Sequence, residues 1–184
     1  MNAVLDLIGA TVISAFVTLM LMNVNNNLSV TAAQQYLNTN TQQNTVALAE
    51  MMHFDFKNTG YRVTDSIKIN RAQADRITVK GDFDNNGSVD SVSYYLGQTS
   101  DLLNTPNPND RPLYRVLNSA TPVASNWGVT SMRFTYYDES GRETTFRSKI
   151  RSFKVKMSLM SAVQYDEKYS YSNWEKMFKP RNLR

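Results

Sequence analysis

The side chains best suited to chemistry cluster in the middle of the chain. Asp82-x-Asp84-x-Asn86-Gly87-x-x-Asp90 matches the start of an oxygen-ligand calcium loop, where alternating carboxylates converge on one cation and a glycine permits the sharp turn. Ser93 stands where such a loop carries its bidentate glutamate, which lowers the affinity expected for Ca2+, and both flanks read as strands rather than helices. Two outcomes stay open at this point. Asp82, Asp84, Asn86 and Asp90 form a weak calcium site, or they form a polar hairpin turn whose side chains bond their own backbone. No other cofactor is required by the sequence.

Other chemistry finds little footing. The only histidine, His53, sits beside Met51, Met52 and Phe54, a setting that suits packing or exposure better than acid–base work. Cysteine is absent, so disulfides and thiolate metal sites are excluded, and there is no glycine-rich phosphate loop or Gly-x-Ser-x-Gly elbow. An enzyme is not expected. Tyr94, Tyr95, Phe134, Tyr136, Tyr137, Tyr165, Tyr169, Tyr171 and Trp174 offer stacking surface for a sugar or nucleic acid. Core and interface packing explain them more simply, since Phe134 and Tyr136 fall on one face of a strand, with Thr135 and Tyr137 on the other.

One further ionisable group is conspicuous by its surroundings. Asp6 is the only charge in an apolar run from Ala3 to Met22, and no Asp, Glu, Lys or Arg follows until Glu50. About 20 helical residues rising about 1.5 Å each span a bilayer core, so this run reads as a membrane or packing anchor. A carboxylate there is costly, about 2.5 kcal/mol or more at mid-bilayer and less near the edge, and therefore calls for a partner. With Asp6 and no Lys or Arg ahead of the apolar run, the start does not fit a cleaved secretory signal.

These groups must be positioned by recognisable elements. Beyond Met22 the uncharged stretch becomes rich in Asn, Thr and Gln. Leu28, Val30, Ala33, Leu37, Val46, Leu48, Met51, Met52 and Phe54 then recur at roughly helical spacing, which predicts that this half lies on a core. Asn58-Thr59-Gly60 supplies a stop, giving one helix of about 55 residues, far above the usual length. Residues 76–83 and 91–96 alternate apolar with polar and predict a hairpin around the Asp-rich loop. Residues 97–112, with Pro106, Pro108 and Pro112, predict an exposed loop, followed by strands at 113–117, 129–137, 144–146 and 150–160. The end, 161–184, carries no clear periodicity. The fold class expected is α+β: an apolar helix over 1–27, and a globular unit over 28–184 in which the inner helix half 28–58 covers one antiparallel sheet over 59–184.

Net charge is +4, but residues 1–140 carry 9 basic and 12 acidic side chains, whereas 141–184 carry 11 and 4. In Arg147, Lys149, Arg151, Lys154 and Lys156 the charges mostly alternate with Ser148, Ile150, Phe153 and Val155, as on the outer face of a half-buried strand. A nucleic-acid partner is not expected.

The order of parts resembles the type IV pilin-like proteins, and most nearly the minor pilins and pseudopilins of the PilW and PulJ type. The matching stretches are Leu48 to Gly60 at the helix end, Arg76-Ile77-Thr78-Val79 running into the Asp82 to Tyr95 hairpin, Leu113-Tyr114-Arg115, Val129 to Asp138, and Pro180-Arg181-Asn182-Leu183. Val4-Leu5-Asp6-Leu7 is similar to that family's Leu-Ile-Glu-Leu core, although Met1-Asn2-Ala3 replaces its usual Gly-Phe-Thr start. The resemblance implies a structural subunit of a pilus or secretion pseudopilus, anchored in the inner membrane and then assembled with copies of itself or other pilin-like subunits into a periplasmic or extracellular filament. It implies that Asp6 takes the place of the family's glutamate and pairs with a neighbour's N-terminal amine. Counted from Asn2, Asp6 lies four residues from such an amine, as the family's glutamate does. Gly9, Ala10, Ser14 and Ala15 are the small residues expected to let neighbouring helices approach. The rival expectation is a membrane-anchored monomer that binds calcium, a glycan or nucleic acid through the hairpin and aromatic tail. An anchored hydrolase is a third class that no residue pattern favours.

Overall fold

One helix, α1 (Ala3–Lys57), carries the first third of the chain in the computed structural model, which describes residues 3–102 and 105–183. It runs unbroken because the segment holds no proline and a single glycine, Gly9. It stops where expected. Gly60 adopts φ +80°, a left-handed turn beyond the last helical residue, and its N–H donates to the Lys80 carbonyl at 2.7 Å. A side chain at Gly60 would also meet the Asn182 Cβ at 2.9 Å, so the turn needs glycine for two reasons.

The two halves of α1 differ in what they touch. From Ala3 to Ser29 every residue is exposed, whereas Thr41, Thr45, Leu48, Met52, Asp55 and Phe56 form a buried stripe. The structure corrects the core positions expected from sequence. Leu28, Val46 and Phe54 are more than half exposed. At about 100° per residue they fall on the side opposite Leu48 and Met52, and the inward side takes threonines instead. Thr41 and Thr45 donate to the carbonyls of Leu37 and Thr41 at 2.8 Å each, so neither hydroxyl is left unpaired by burial.

The strands are β1 (Ile69–Ala72), β2 (Arg76–Gly81), β3 (Asp90–Leu96), β4 (Leu113–Leu117), β5 (Val129–Tyr137), β6 (Ser152–Met160) and β7 (Tyr171–Phe178). The expected hairpin is β2–β3, with Val79 opposite Val92 and Gly81 opposite Asp90. A single sheet over 59–184 is not what forms. The strands divide into a four-stranded sheet ordered β1-β2-β3-β4 and a three-stranded sheet ordered β5-β6-β7, all antiparallel. The chain between β4 and β5 turns away through Asn118 and Ser119 at φ 48° and 59° and reaches Pro122, so β4 and β5 never align as a ladder. Isolated bonds tie the sheets together, such as Phe134 N–H to the Ala74 carbonyl at 2.8 Å.

Two further expectations need correction. Residues 144–146 form no strand, only a return contact in which Thr144 N–H reaches the Tyr136 carbonyl at 3.0 Å. Arg147 and Lys149 lie in a 3-10 turn rather than on a strand face, which leaves Lys154 and Lys156 as the basic residues of the outer face of β6. Two strands were not legible at all, β1 and β7. The loop expected over 97–112 is present with a 3-10 turn at Thr99–Asp101, but it is not exposed throughout: Asn107, Asp110 and Pro112 are buried, and Asn107 Nδ2 donates to the Ser161 carbonyl at 2.9 Å. Residues 103 and 104 lie outside the described residues.

Both sheets turn their apolar faces toward the inner half of α1. Phe56 is the meeting point, with ring centroids 5.2 Å from Tyr94, 6.4 Å from Phe134 and 5.1 Å from both Phe153 and Phe178. Burial along α1 begins only after Ser29, so deleting residues 1–27 removes no packed contact. The shortened protein is expected to keep the near-ultraviolet circular dichroism and melting temperature of the full chain, and an unfolded product would contradict this architecture.

Candidate functional site

Three groups of residues merit description as sites, taken along α1 and then onto the sheets. The first is the exposed outer half of α1. Gly9 and Ala10 lie three and four residues after Asp6, and Ser14 four after Ala10, so the four share one broad face, while Ala15 lies on the side opposite Asp6. An added Cβ at Gly9 would meet nothing within 4 Å. Two hydroxyls nearby close on the helix: Thr11 Oγ1 donates to the Ile8 carbonyl and Thr18 Oγ1 to the Ser14 carbonyl, each at 2.8 Å. Asp6 is the one ionisable group in the run. The expected distance from Asp6 to the terminal amine falls on residues 1 and 2, outside the described residues.

The second group sits at the other end of α1 and was missed from sequence. Asp55 is 1 % exposed, and its carboxylate accepts the Tyr94 hydroxyl on Oδ2 together with both arms of Arg115, from Nε at 2.7 Å and from the terminal nitrogen at 3.0 Å. This is a bidentate guanidinium–carboxylate pair joining α1 to β3 and β4. Burial, and then the Asp55 charge beside it, push the Tyr94 hydroxyl far above its ordinary range. Hydrogen bonding to Asp55 holds Arg115 more firmly protonated than usual, against the opposing effect of burial. With both oxygens occupied, Asp55 locks the helix onto β3 and β4. One signal could have found it: an acid at three and seven residues from Met52 and Leu48, on the buried side of the helix.

The third group is the carboxylate loop between β2 and β3. Asp82, Asp84 and Asp90 offer oxygens that all lie within 4.8 Å of one another, close enough to share one cation. Asn86 joins the cluster through its side chain, but donates Nδ2 to Asp84 Oδ2 at 2.8 Å and accepts from Ser88 N–H at 2.7 Å. Asp82 takes the N–H of Asn86 on Oδ1 at 3.1 Å and that of Gly87 on Oδ2 at 3.0 Å, and Arg62 reaches Oδ2 at 2.8 Å. Asp90 accepts Asn118 Nδ2 at 2.6 Å. The loop thus satisfies its own acceptors, and Arg62 occupies the position of a cation. Burial would raise the Asp82 carboxyl, but the Gly87 N–H, Arg62 and the Asn86 N–H outweigh it and hold the group below the ordinary carboxylate range. Sequence reading could not find Arg62, twenty residues upstream and held at φ 57°.

The remaining candidates are placed plainly. His53 is exposed, with Lys176 Nζ 3.2 Å from its Nδ1 and the Phe178 ring 6.0 Å away. Tyr94, Phe134 and Tyr136 are core residues, and Tyr136 donates to the Gln73 carbonyl at 2.8 Å. Trp174 packs on the core edge. Tyr95 stacks on Tyr114 at 4.9 Å with the Arg76 guanidinium 3.7 Å above its ring. Tyr165 and Tyr171 are exposed.

Two outcomes follow from these geometries. Arg115→Ala strands a buried carboxylate and is expected to cost about 3 kcal/mol, the lower end for a broken buried pair because Arg115 is itself 33 % exposed. Adding Asp55→Asn should recover part of that loss in a chemical denaturation series. For the loop, a lowered Asp82 pKa means that its contribution is fully present above the unfolded-state value and is lost as pH falls through the folded-state value. Calcium added to the full chain in a calorimeter should give heat only near millimolar ion, and Arg62→Ala should lower the concentration needed. No heat from either protein at millimolar calcium would remove the calcium reading. Comparison with protein-family models, with curated proteins and with solved structures found no match to this chain.

Proposed function

We propose that the chain is a structural subunit of a pilus or secretion pseudopilus, held first in a membrane by Ala3–Met22 and then assembled through the same helix. One observation carries this reading: α1 is a single helix whose outer half is apolar and wholly uncovered while its inner half is packed on the sheets. A segment long and apolar enough to cross a membrane satisfies its backbone internally, and Thr11 and Thr18 satisfy their hydroxyls the same way. Such a surface can pass from lipid to neighbouring helices without meeting water.

In this reading, packing of helix on helix is guided by the face that carries Gly9, Ala10 and Ser14, with Ala15 available to a neighbour on the opposite side. Asp6 on the same face finds its counter-charge in the amine of an adjoining subunit, which removes the cost of an unpaired carboxylate in an apolar core. The reading adds no reaction and no required cofactor. The carboxylate loop supports one alternative, a membrane-anchored monomer that holds a cation through Asp82, Asp84 and Asp90.

Electron microscopy of sheared surface material from the native cells, with mass spectrometry of this chain's N-terminus, separates the two. Filaments containing the chain are expected. Finding it only in membranes, as a monomer in detergent, would favour the anchored module. Asp6→Ala is expected to reduce incorporation strongly while leaving the membrane-bound pool intact, and normal incorporation would overturn the pairing role.

A further inference from the structure

The two ends of β7 carry opposite chemistry. β7 runs alongside α1 and in the same direction, since Tyr171 at its start shares a cleft with Thr31, Gln34 and Asn38, and Phe178 at its end packs on Phe56. Seven steps of about 3.3 Å from Tyr171 to Phe178 put the two ends about 23 Å apart.

At the far end, near the C-terminus of α1, lies a cleft of about 550 Å³. Its walls present Lys57, Lys176, Lys179 and Arg181, with His53 beside them, over the rings of Phe178 and Tyr61. Among the described residues no carboxylate lines it and none of the four cations is in an ion pair. Lys179 also borders the neighbouring depression that contains Asp138 and Glu139, without reaching either within 4.0 Å. The carbonyl end of α1 contributes roughly half an elementary negative charge, far too little to balance four cations. This cleft selects an anion.

At the near end the β6–β7 hairpin continues past Met160 and Tyr171 and closes at Tyr165-Asp166-Glu167-Lys168. Tyr165 and Lys168 exchange both backbone bonds, at 2.9 and 3.1 Å, so the turn has two central residues. Those residues are Asp166 at φ 52° and Glu167 at φ 58°. Such a turn ordinarily takes Asn-Gly, because two successive left-handed residues strain any side chain and Glu has no local compensation. Here the strain holds two carboxylates outward, exposed and outside any ion pair among the described residues, with Tyr165 and Val163 exposed beside them.

We propose that the Asp166–Glu167 tip of one copy docks in the Lys57, Lys176, Lys179 and Arg181 cleft of the next copy along the helix axis. This rests on the filament reading above and adds its register. The contact joins two different surfaces at opposite ends of the domain, so it is heterologous and repeats without closing, as a filament requires. Apolar helices slide past one another at little cost, whereas a charged tip in a charged cleft has one seat. Anionic lipid is a poorer occupant. Lys57 lies about 52 Å along the helix from Met22 at about 1.5 Å per residue, many times the Debye length of about 8 Å from the headgroups of the anchoring membrane.

The absence of cysteine makes the test direct. Glu167→Cys and Lys179→Cys, introduced together in the full chain and oxidised in intact filaments, should give a ladder of cross-linked multimers, with each single variant giving none. Filaments seen by electron microscopy without a ladder would overturn the docking and leave the filament reading standing; wild-type cells without filaments containing the chain would sink both. Reversing Asp166 and Glu167 to Lys should cut incorporation about tenfold, and reversing the exposed Lys57, Lys179 and Arg181 to Glu in the same chain should restore it. Loss on reversing the cleft alone, with no effect of reversing the tip, would assign the cleft to a different anionic partner and overturn the proposal. Circular dichroism of each purified variant verifies that the domain is folded.

Discussion

The contact on which this structure depends is the seating of Phe56. Its ring meets Tyr94 from one sheet and Phe134 and Phe153 from the other, each edge-on, and Phe178 closes the same pocket. The two sheets share no ladder, and Phe56, with Leu48 and Met52, joins their apolar faces into one core. Its neighbour in sequence does the complementary task. Asp55 accepts Tyr94 and Arg115, and because an ion pair is directional where ring packing is not, it fixes the rotation of α1 about its axis as well as its depth. Two adjacent residues, one apolar and one charged, thereby aim the whole helix.

What the helix is aimed at follows from its outer half. Thirteen large apolar side chains between Val4 and Val24 are about half exposed or more. Withdrawing each from water is worth about 1.5–3 kcal/mol, so covering the run is worth tens of kcal/mol, larger than the 5–15 kcal/mol that typically holds a domain folded. Nothing among the described residues covers it, because the described strands and turns all lie against residues after Ser29. The apolar run is long enough to cross a membrane, and it adds nothing to the core that holds the domain.

The sequence made some of this visible and hid the rest for identifiable reasons. The helix length was legible because charge and proline are both absent over a long run and because Gly60 ends it. The β2–β3 hairpin was legible because period-two alternation and turn residues agree. Phe56 was not, since Phe54 two residues earlier is the same kind of residue, and only the rotation imposed by Asp55 and Met52 decides which faces inward. β7 escaped because Ser172 and Trp174 are only half-buried, Lys176 between Trp174 and the buried Phe178 is exposed, and no apolar period results, and β1 because four residues are too few to show one. The carboxylate cluster at Asp82, Asp84 and Asp90 was legible as a motif, but Arg62 was not, and neither was the link from Asp55 to Arg115 across sixty positions. Contacts between distant segments leave no mark on local pattern. For the same reason the division into two sheets could not be foreseen.

The stretch between the apolar run and the packed stripe explains how one helix can serve both. Asn23 to Thr45 is rich in polar residues but uncharged, and its short side chains close on the helix itself: Asn27 on Asn23 at 3.2 Å, Ser29 on the Asn25 carbonyl at 3.0 Å, Thr31 on the Asn27 carbonyl at 2.8 Å and Thr39 on the Gln35 carbonyl at 2.9 Å. Asn and Thr are weak helix formers, so isolated propensity does not maintain this segment. Continuity with the rigid ends does, since a helix propagates from turns already formed more readily than it nucleates anew. An uncharged segment also needs no counter-ion from its surroundings. The mechanical result is that Asp6 stands about 74 Å from Asp55 at about 1.5 Å per residue, along a single helix without proline. A rotation fixed by Asp55 and Phe56 is carried over that distance to the face bearing Asp6, Gly9 and Ala10, so the packing of the domain determines which way that face of the bare helix points.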